Sequence, residues 1–176
     1  MDNNKKKSIG ITFLGIIIMV VLILLDQWTK IIAVEKLKDG PISLISGVFE
    51  FHYVSNYGAA WGILSGQRTF FIIITFIVMA IVAYVYVRTP KTKRYWGLTA
   101  CEILLVSGAI GNFVDRIKLG YVRDFLYFSL IDFPIFNVAD CYVVIAAICL
   151  CILVLFVYKD DEFDFLSLKK KTQEEE

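Results

Sequence analysis

The chain has 176 residues, of which 58% are hydrophobic, and its formal net charge is +1. A soluble protein of this size exposes too much of its surface to hide so large an apolar share, so the composition excludes an ordinary water-soluble domain. The small net charge also gives no indication of nucleic-acid binding through bulk charge. The sequence therefore predicts a protein that lies in a lipid bilayer.

Four long apolar runs predict four membrane-spanning helices in one integral membrane domain, residues 1–176. Each run is close to the roughly 20 residues that a helix needs to cross the hydrocarbon core. A backbone in lipid must satisfy its own hydrogen bonds, which favours helices over isolated strands. We place the helices at about 9–33, 69–88, 95–116 and 138–158.

The lysine and arginine residues between these helices predict the orientation of the chain. Basic residues cluster at 5–7, 88–94 and 159–171, and an even number of crossings puts these three segments on one side. Loops rich in lysine and arginine usually stay in the cytoplasm. We therefore expect both termini in the cytoplasm, with residues 160–176 as a cytoplasmic tail.

Two segments on the other side of the membrane predict a small external sheet, which we call the cradle, at about 40–62 and 120–136. Between residues 48 and 54, three aromatic residues alternate with Glu50 and His52. A period of two is typical of a strand covered on one face. The second segment is also rich in aromatic residues.

The four cysteines give no sign of a metal site. They are Cys101, Cys141, Cys149 and Cys151, and they lie in or beside apolar stretches, far from the single histidine, His52. Zinc sites in proteins are usually built from paired cysteine and histidine ligands. We expect the cysteines to act as small hydrophobic residues, and no sequence motif for a cofactor is present.

Ionisable residues at membrane depth are costly and mark functional sites by default. In this sequence they are Asp26, Glu102, Asp115, Arg116, Asp124 and Asp140. The predicted topology brings all of them except Glu102 close to the outer membrane surface. We expect Glu102 to reach toward the cytoplasm or to pair with a neighbour, with no role in catalysis.

Several of these residues also have a purely structural explanation. Asp26 precedes Lys30 by four residues, which is the spacing of a helical ion pair. Asp115 is followed directly by Arg116 and could be neutralised by it. Asp140 is close to the start of a predicted helix, where an acidic side chain is favoured as a cap.

Two carboxyl groups brought close together would have a distinct chemistry. Like charges a few ångströms apart cannot both ionise cheaply, so one of them keeps its proton near neutral pH. The ionised group can take a proton from water, and the protonated group can donate to a carbonyl or a leaving amine. A pair such as Asp124 and Asp140 would thereby cleave an amide without a metal, serine or cysteine.

The polar residues fall into five short motifs, at 26–30, 56–62, 108–116, 122–125 and 133–140. In this order they resemble the signature of bacterial lipoprotein signal peptidase, or signal peptidase II, a family of aspartic membrane peptidases. The resemblance implies four transmembrane helices, an extracytoplasmic β-cradle and a short surface helix, which we place near residues 57–64.

The resemblance also implies an activity and a location. The enzyme would lie in the bacterial cytoplasmic membrane, with its active site near the outer face. It would remove the signal peptide from diacylglyceryl-modified prolipoproteins just before the lipidated cysteine. The implied partners are those signal peptides, membrane lipids and globomycin-type inhibitors, with neither cofactor nor nucleic acid.

The motifs of the family carry its site residues onto this chain. The catalytic pair corresponds to Asp124 and Asp140. The supporting or substrate-binding residues correspond to Asp26, Asn56, Gly58, Asn112, Asp115, Arg116 and Asn137. One departure is Arg123, because the family usually has valine there, and a guanidinium beside Asp124 could lower the pKa of that carboxyl group.

Two other classes of function remain open at this point. A proton-coupled transporter also carries acids within the membrane, but it would place them at two or three depths on facing helices. A non-catalytic assembly factor would leave Asp124 and Asp140 far apart.

Overall fold

The computed structural model describes residues 3–58 and 64–167, with side chains from Ser8 onward. Within these ranges it contains four main helices and three strands. In chain order they are α1 (Asn3–Lys36), β1 (Ile42–Ile45), β2 (Phe49–Asn56), α2 (Arg68–Arg88), α3 (Trp96–Lys118), β3 (Val122–Tyr127) and α4 (Val138–Ile152). The short surface helix that we expected near residues 57–64 falls largely outside the described residues.

Four helices in this part of the chain are long and apolar enough to cross a membrane. Their spans are Ser8–Lys36, Arg68–Arg88, Lys93–Lys118 and Val138–Val157. The last span includes a π-helical turn, Leu153–Val157, that continues α4. Together with the small antiparallel sheet, these helices confirm the predicted fold class.

The third helix is the centre of the bundle. In its most apolar stretch 44% of the residues are buried within the protein, compared with 6% for α1 and for α2. It contacts each of the other three helices. The polar residues that α3 carries are therefore shielded from lipid, which is the condition under which a membrane helix can hold charges.

Two glycines allow the helices to approach closely at the end of the bundle that carries the sheet. A Cβ atom at Gly108 would lie 2.5 Å from the carbonyl oxygen of Ala139, and a Cβ at Gly111 would lie 2.5 Å from Oδ2 of Asp26. Small residues at membrane-helix interfaces permit such contacts between backbones. As a result, α1 and α4 both pack directly against this part of α3.

The sheet has the order β1-β2-β3, with both pairs antiparallel. The β2–β3 pairing places Val54 opposite Asp124 and Asn56 opposite Val122. On the face toward α1, Phe125 packs in a cluster with Ala33 and Leu37. The end of β2 is thereby fixed beside the middle of β3, over the end of α1.

The opposite end of the bundle is closed by contacts from the segment that follows α4. Arg94 donates to both carboxylate oxygens of Glu162, at 2.6 and 2.8 Å, and Tyr95 stacks on Tyr158. Glu102 is buried at this end and accepts a hydrogen bond from the hydroxyl of Thr89 at 2.6 Å. It therefore pairs with a neighbour, as we expected, away from the other acids.

The close approach of α3 and α4 leads to a stability prediction. Replacing Gly108 with alanine forces the new methyl group against the backbone of Ala139, which cannot move without shifting α4. We expect the free energy of unfolding to fall by about 1–3 kcal/mol, measured by thermal denaturation in detergent. Gly10→Ala is the matched control, because nothing lies within 4 Å of a Cβ there. Equal melting temperatures for the two variants would contradict this packing.

Candidate active site

Asp140 is oriented by the first turn of α4. The side-chain oxygen of Asn137 accepts a hydrogen bond from the backbone N–H of Asp140 at 3.1 Å. In return, a carboxylate oxygen of Asp140 accepts from the backbone N–H of Asn137 at 3.0 Å. This reciprocal capping box fixes the carboxylate at the start of the helix. Asp140 thus has the capping role that we expected, and the capping box also orients its carboxylate.

Asn137 joins the two acids that we predicted to form a pair. Its side-chain amide donates to Oδ1 of Asp124 at 2.6 Å, while its backbone N–H holds Asp140. Asp124 and Asp140 line the same cavity. The two carboxyl groups, 16 positions apart in sequence, are therefore brought to one place. An assembly factor with these acids far apart is inconsistent with this arrangement.

Each carboxylate also receives a second amide. Asn56, at the end of β2, donates to Oδ2 of Asp124 at 2.8 Å, and Asn112 on α3 donates to Oδ1 of Asp140 at 2.7 Å. The carbonyl oxygen of the Asn56 side chain accepts from the backbone of Gly58 at 2.8 Å. The predicted site residues Asn56, Gly58, Asn112 and Asn137 thus surround the two acids.

Lys30 is fully buried beneath the two acids. Its ammonium group donates to Oδ1 of Asn112 at 2.8 Å and pairs with Asp26 at 3.0 Å and with Asp115 at 3.5 Å. The ion pair predicted between Asp26 and Lys30 is therefore present. Asp26 also accepts a hydrogen bond from the backbone of Ala139 at 3.0 Å, which ties α1 to the start of α4.

Arg123 does not face Asp124, contrary to our expectation. Its side chain binds Asp115 through Nη2 at 2.6 Å and Nε at 3.1 Å, and Nη2 also donates to Gln27 at 2.9 Å. Successive side chains of a strand point to opposite faces, so Arg123 and Asp124 diverge. Asp115 consequently forms its ion pairs with Arg123 and Lys30 rather than with its sequence neighbour Arg116.

Arg116 is directed toward the cavity. Its guanidinium lies 4.7 Å from the ring centre of Phe71 and donates to the carbonyl oxygen of Gly58 at 3.3 Å. It also lines the cavity with Asp124 and Asp140. This places a cation beside the two acids without a direct ion pair to either.

The charges of the cluster leave one carboxylate without a matching cation. Its charged members are the acids Asp26, Asp115, Asp124 and Asp140 and the cations Lys30, Arg116 and Arg123. Burial raises the pKa of Asp124 to about 7, and the negative charge of Asp140 acts in the same direction. Asp124 therefore exchanges a proton near neutral pH.

The cavity has a volume of about 620 Å³ and is polar at one end only. The acids, Asn112 and Arg116 form the polar end. The other walls are apolar and come from the segment after β3 and from α4, through Phe128, Phe133, Ile135, Phe136, Val144 and Ile145. Such a lining suits a largely apolar ligand whose reactive polar group lies beside the acids.

The four acids of the site lie together at the sheet end of the bundle, and they do not form a path across it. A transporter would need carboxylates at several depths. Sequence reasoning overlooked Gln27 and Arg123 as members of this cluster. The alternation of β3 could have shown that Arg123 turns away from Asp124.

The sequence of the chain is similar to those of known lipoprotein signal peptidases. A sequence profile of the family described as signal peptidase (SPase) II matches residues 18–156. The lipoprotein signal peptidase of Enterococcus faecalis is 40% identical over 137 residues, which cover 77% of this chain and 84% of that protein. The lipoprotein signal peptidase of Halothermothrix orenii is 40% identical over 147 residues, which cover 83% and 96%.

Two solved structures of bacterial membrane enzymes share the fold. One superimposes with a TM-score of 0.72 at 34% identity and covers 89% of this chain and 93% of the other. The second has a TM-score of 0.70 at 36% identity and covers 82% and 94%.

The burial of Asp115 leads to a second prediction. Asp115→Asn removes the negative charge that Arg123 and Lys30 share, and leaves two cations in a buried site. Breaking a buried pair in this way costs about 3–5 kcal/mol, so we expect a large drop in melting temperature. Glu162→Gln, which breaks the more exposed pair with Arg94, should leave the melting temperature nearly unchanged, because water screens exposed ion pairs. A full-stability Asp115→Asn variant would show that the pair has no structural role.

Proposed function

The chain belongs to the signal peptidase II family, so it is a peptidase that removes the signal peptides of lipoproteins, and we propose that Asp124 and Asp140 are its catalytic pair. The observation that carries this proposal is the double link through Asn137, which binds one acid by its side chain and the other by its backbone. Both acids line one cavity with an apolar extension.

In the proposed reaction the pair shares one proton. Asp140 is ionised and takes a proton from a water molecule, whose oxygen attacks the carbonyl carbon of the scissile bond. Asp124 donates its proton to the carbonyl oxygen, which gives a neutral tetrahedral diol. The diol then returns a proton to Asp124 while the C–N bond breaks, and Asp140 delivers its proton to the leaving amine. Both acids regain their starting state.

A pKa near 7 suits Asp124 for the role of the acid. Burial disfavours its charged form, and the nearby negative charge of Asp140 disfavours it further, whereas the amides of Asn56 and Asn137 oppose the shift. Like-charged carboxylates in contact are expected to hold one proton between them. Asp124 therefore retains a proton that it can donate at neutral pH, without a metal ion to polarise the carbonyl.

The remaining predicted residues have supporting roles in this proposal. Arg116, Asn112 and Asn56 are placed to bind peptide carbonyl groups of the substrate beside the acids. Asp115 joins α3 to α1 and β3 through its ion pairs with Lys30 and Arg123, and Asp26 holds Lys30 and the start of α4. These assignments separate groups that touch the substrate from groups that maintain the site.

We also propose the form of the substrate and its approach. The prolipoprotein carries a diacylglyceryl cysteine, and the apolar walls of the cavity accommodate the lipid-modified end while the signal-peptide helix stays in the bilayer. The distribution of lysine and arginine supports cytoplasmic termini and a site near the outer face of the bacterial cytoplasmic membrane. Globomycin-type peptides would compete for the same cavity.

The direct test is to neutralise each acid. We expect Asp124→Asn and Asp140→Asn to fold and to lose about 10²–10⁴-fold or more in kcat, because each removes one proton-transfer step. Activity is measured by the gel shift of a diacylglyceryl-modified prolipoprotein, with globomycin as the inhibited reference. Glu102→Gln is the matched control, since that buried acid lies at the other end of the bundle. Normal turnover by either aspartate variant would refute the pair.

The raised pKa of Asp124 also predicts how stability depends on pH. Between its ordinary value of 3.8 and about 7, the folded protein holds a proton at Asp124 that the unfolded chain has released. Stability therefore falls as the pH rises through this window. We expect the melting temperature to decrease from pH 5 to pH 8, and Asp124→Asn to reduce that decrease. An unchanged slope in the variant would show that the pKa of Asp124 is ordinary.

A further inference from the structure

Arg123 lies between two cavity residues but is not part of the cavity wall. Its neighbours Val122 and Asp124 both line the cavity, whereas the Arg123 side chain extends to the other face of β3. There it makes three side-chain hydrogen bonds, two to Asp115 and one to Gln27. Arg123 therefore does not touch the reacting atoms, but it connects β3 to α3 and α1.

Asp115 holds the backbone of β3 as well as the guanidinium. Its Oδ2 atom accepts from the backbone N–H of Arg123 at 3.0 Å and from Nε of the same residue at 3.1 Å. A planar guanidinium that binds a carboxylate through two N–H groups fixes both distance and angle. The position of β3 relative to α3 is thus set one residue before Asp124.

The same contacts influence the groups around Asp140. Lys30 lies 3.5 Å from Asp115, but 2.8 Å from Asn112 and 3.0 Å from Asp26. Arg123 is the nearer cation to Asp115, at 2.6 Å, and the ammonium of Lys30 lies closer to Asn112 than to Asp115. The amide of Asn112 in turn donates to Asp140 at 2.7 Å.

We propose that Arg123 is a positioning residue for the peptidase reaction. It holds the strand that carries Asp124 against α3 and, through Asp115 and Lys30, keeps Asn112 directed at Asp140. This inference rests on the proposed function of Asp124 and Asp140 as the catalytic pair. It assigns a role to a residue that is not among the site residues implied by the motifs.

The first expected effect is on turnover. Arg123→Gln removes the two side-chain hydrogen bonds to Asp115 and lets β3 shift. A misplacement of a catalytic group by about 1 Å can reduce the rate about 100-fold. We expect kcat to fall by about 10- to 100-fold with KM nearly unchanged, because Arg123 does not line the cavity. Arg123→Lys keeps the charge without the planar fork, so its kcat should lie between those of Arg123→Gln and the original enzyme.

The second expected effect is on the pH profile of kcat. The groups that act on Asp124 are Asp140 and Asn137 at the start of α4, Lys30 on α1, Arg116 on α3 and Asn56 on β2. Without the charge of Arg123, Asp115 draws Lys30 away from the pair, and the pKa of Asp124 rises. The alkaline limb, where Asp124 loses its proton, should move to higher pH in Arg123→Gln and stay in place in Arg123→Lys.

The experiment compares Arg123→Gln and Arg123→Lys with Arg94→Gln in the gel-shift assay, over a range of pH and substrate concentration. Arg94 is the matched control because it also binds a carboxylate through two N–H groups, but at the opposite end of the bundle. We expect Arg94→Gln to keep the original kcat and pH profile. If Arg123→Gln does not fold, the test is the kcat of Arg123→Lys per folded molecule, which should be reduced while KM stays unchanged.

Several results would overturn the proposal. One is that both Arg123 variants keep the kcat of the original enzyme. Another is a loss in Arg123→Gln that only follows the folded fraction, with the alkaline limb unmoved, or an equal loss in Arg94→Gln. An Asp124→Asn variant is measured in parallel to distinguish failure of the proposed catalytic pair from failure of the proposed role of Arg123. Full activity of Asp124→Asn would refute the catalytic pair itself. If Asp124→Asn is inactive while the Arg123 variants are fully active, only the proposed role of Arg123 is refuted.

Discussion

Buried charge is the constraint on which this structure depends. Taking a carboxylate out of water costs several kcal/mol unless a partner compensates it, and a bilayer provides no water to do so. Asp26, Asp115 and Lys30 are buried almost completely in the described structure. Their mutual pairing, completed by Arg123, requires α1, α3 and β3 to meet at one point. The site is thus held in place by the same interactions that make its charges tolerable.

The four acids of the cluster have two different kinds of partner. Asp26 and Asp115 are paired with cations, whereas Asp124 and Asp140 receive hydrogen bonds from asparagine amides. A cation strongly favours the ionised form of a carboxyl group, while a neutral amide favours it less. The first kind of partner suits a fixed structural charge. The second allows a proton to move within the physiological pH range, which is what the proposed chemistry needs.

Much of the fold could be predicted from the sequence, but less of the site. An apolar run of about 20 residues forms a helix in lipid, because the helix satisfies its own backbone hydrogen bonds, so hydropathy was enough to predict the four helices. The five motifs indicated which residues belong to the site, but not their partners. The link through Asn137 depends on the path of the chain between β3 and α4, which no local pattern determines. Sequence adjacency suggested that Arg123 could act on Asp124, but neighbours on a strand point to opposite faces, and the Arg123 side chain binds Asp115 and Gln27 instead.

In the proposed reaction, Asp124 and Asp140 share one proton near neutral pH. Carbon-13 NMR of labelled aspartate carboxyl groups in detergent would test it most directly, with Asp124 assigned by substitution. We expect Asp124 to titrate near pH 7 in the original enzyme, and at lower pH in Asp140→Asn, where the neighbouring negative charge is absent. Titration of Asp124 near its ordinary value of 3.8, unaffected by Asp140→Asn, would show that the two carboxyl groups do not share a proton.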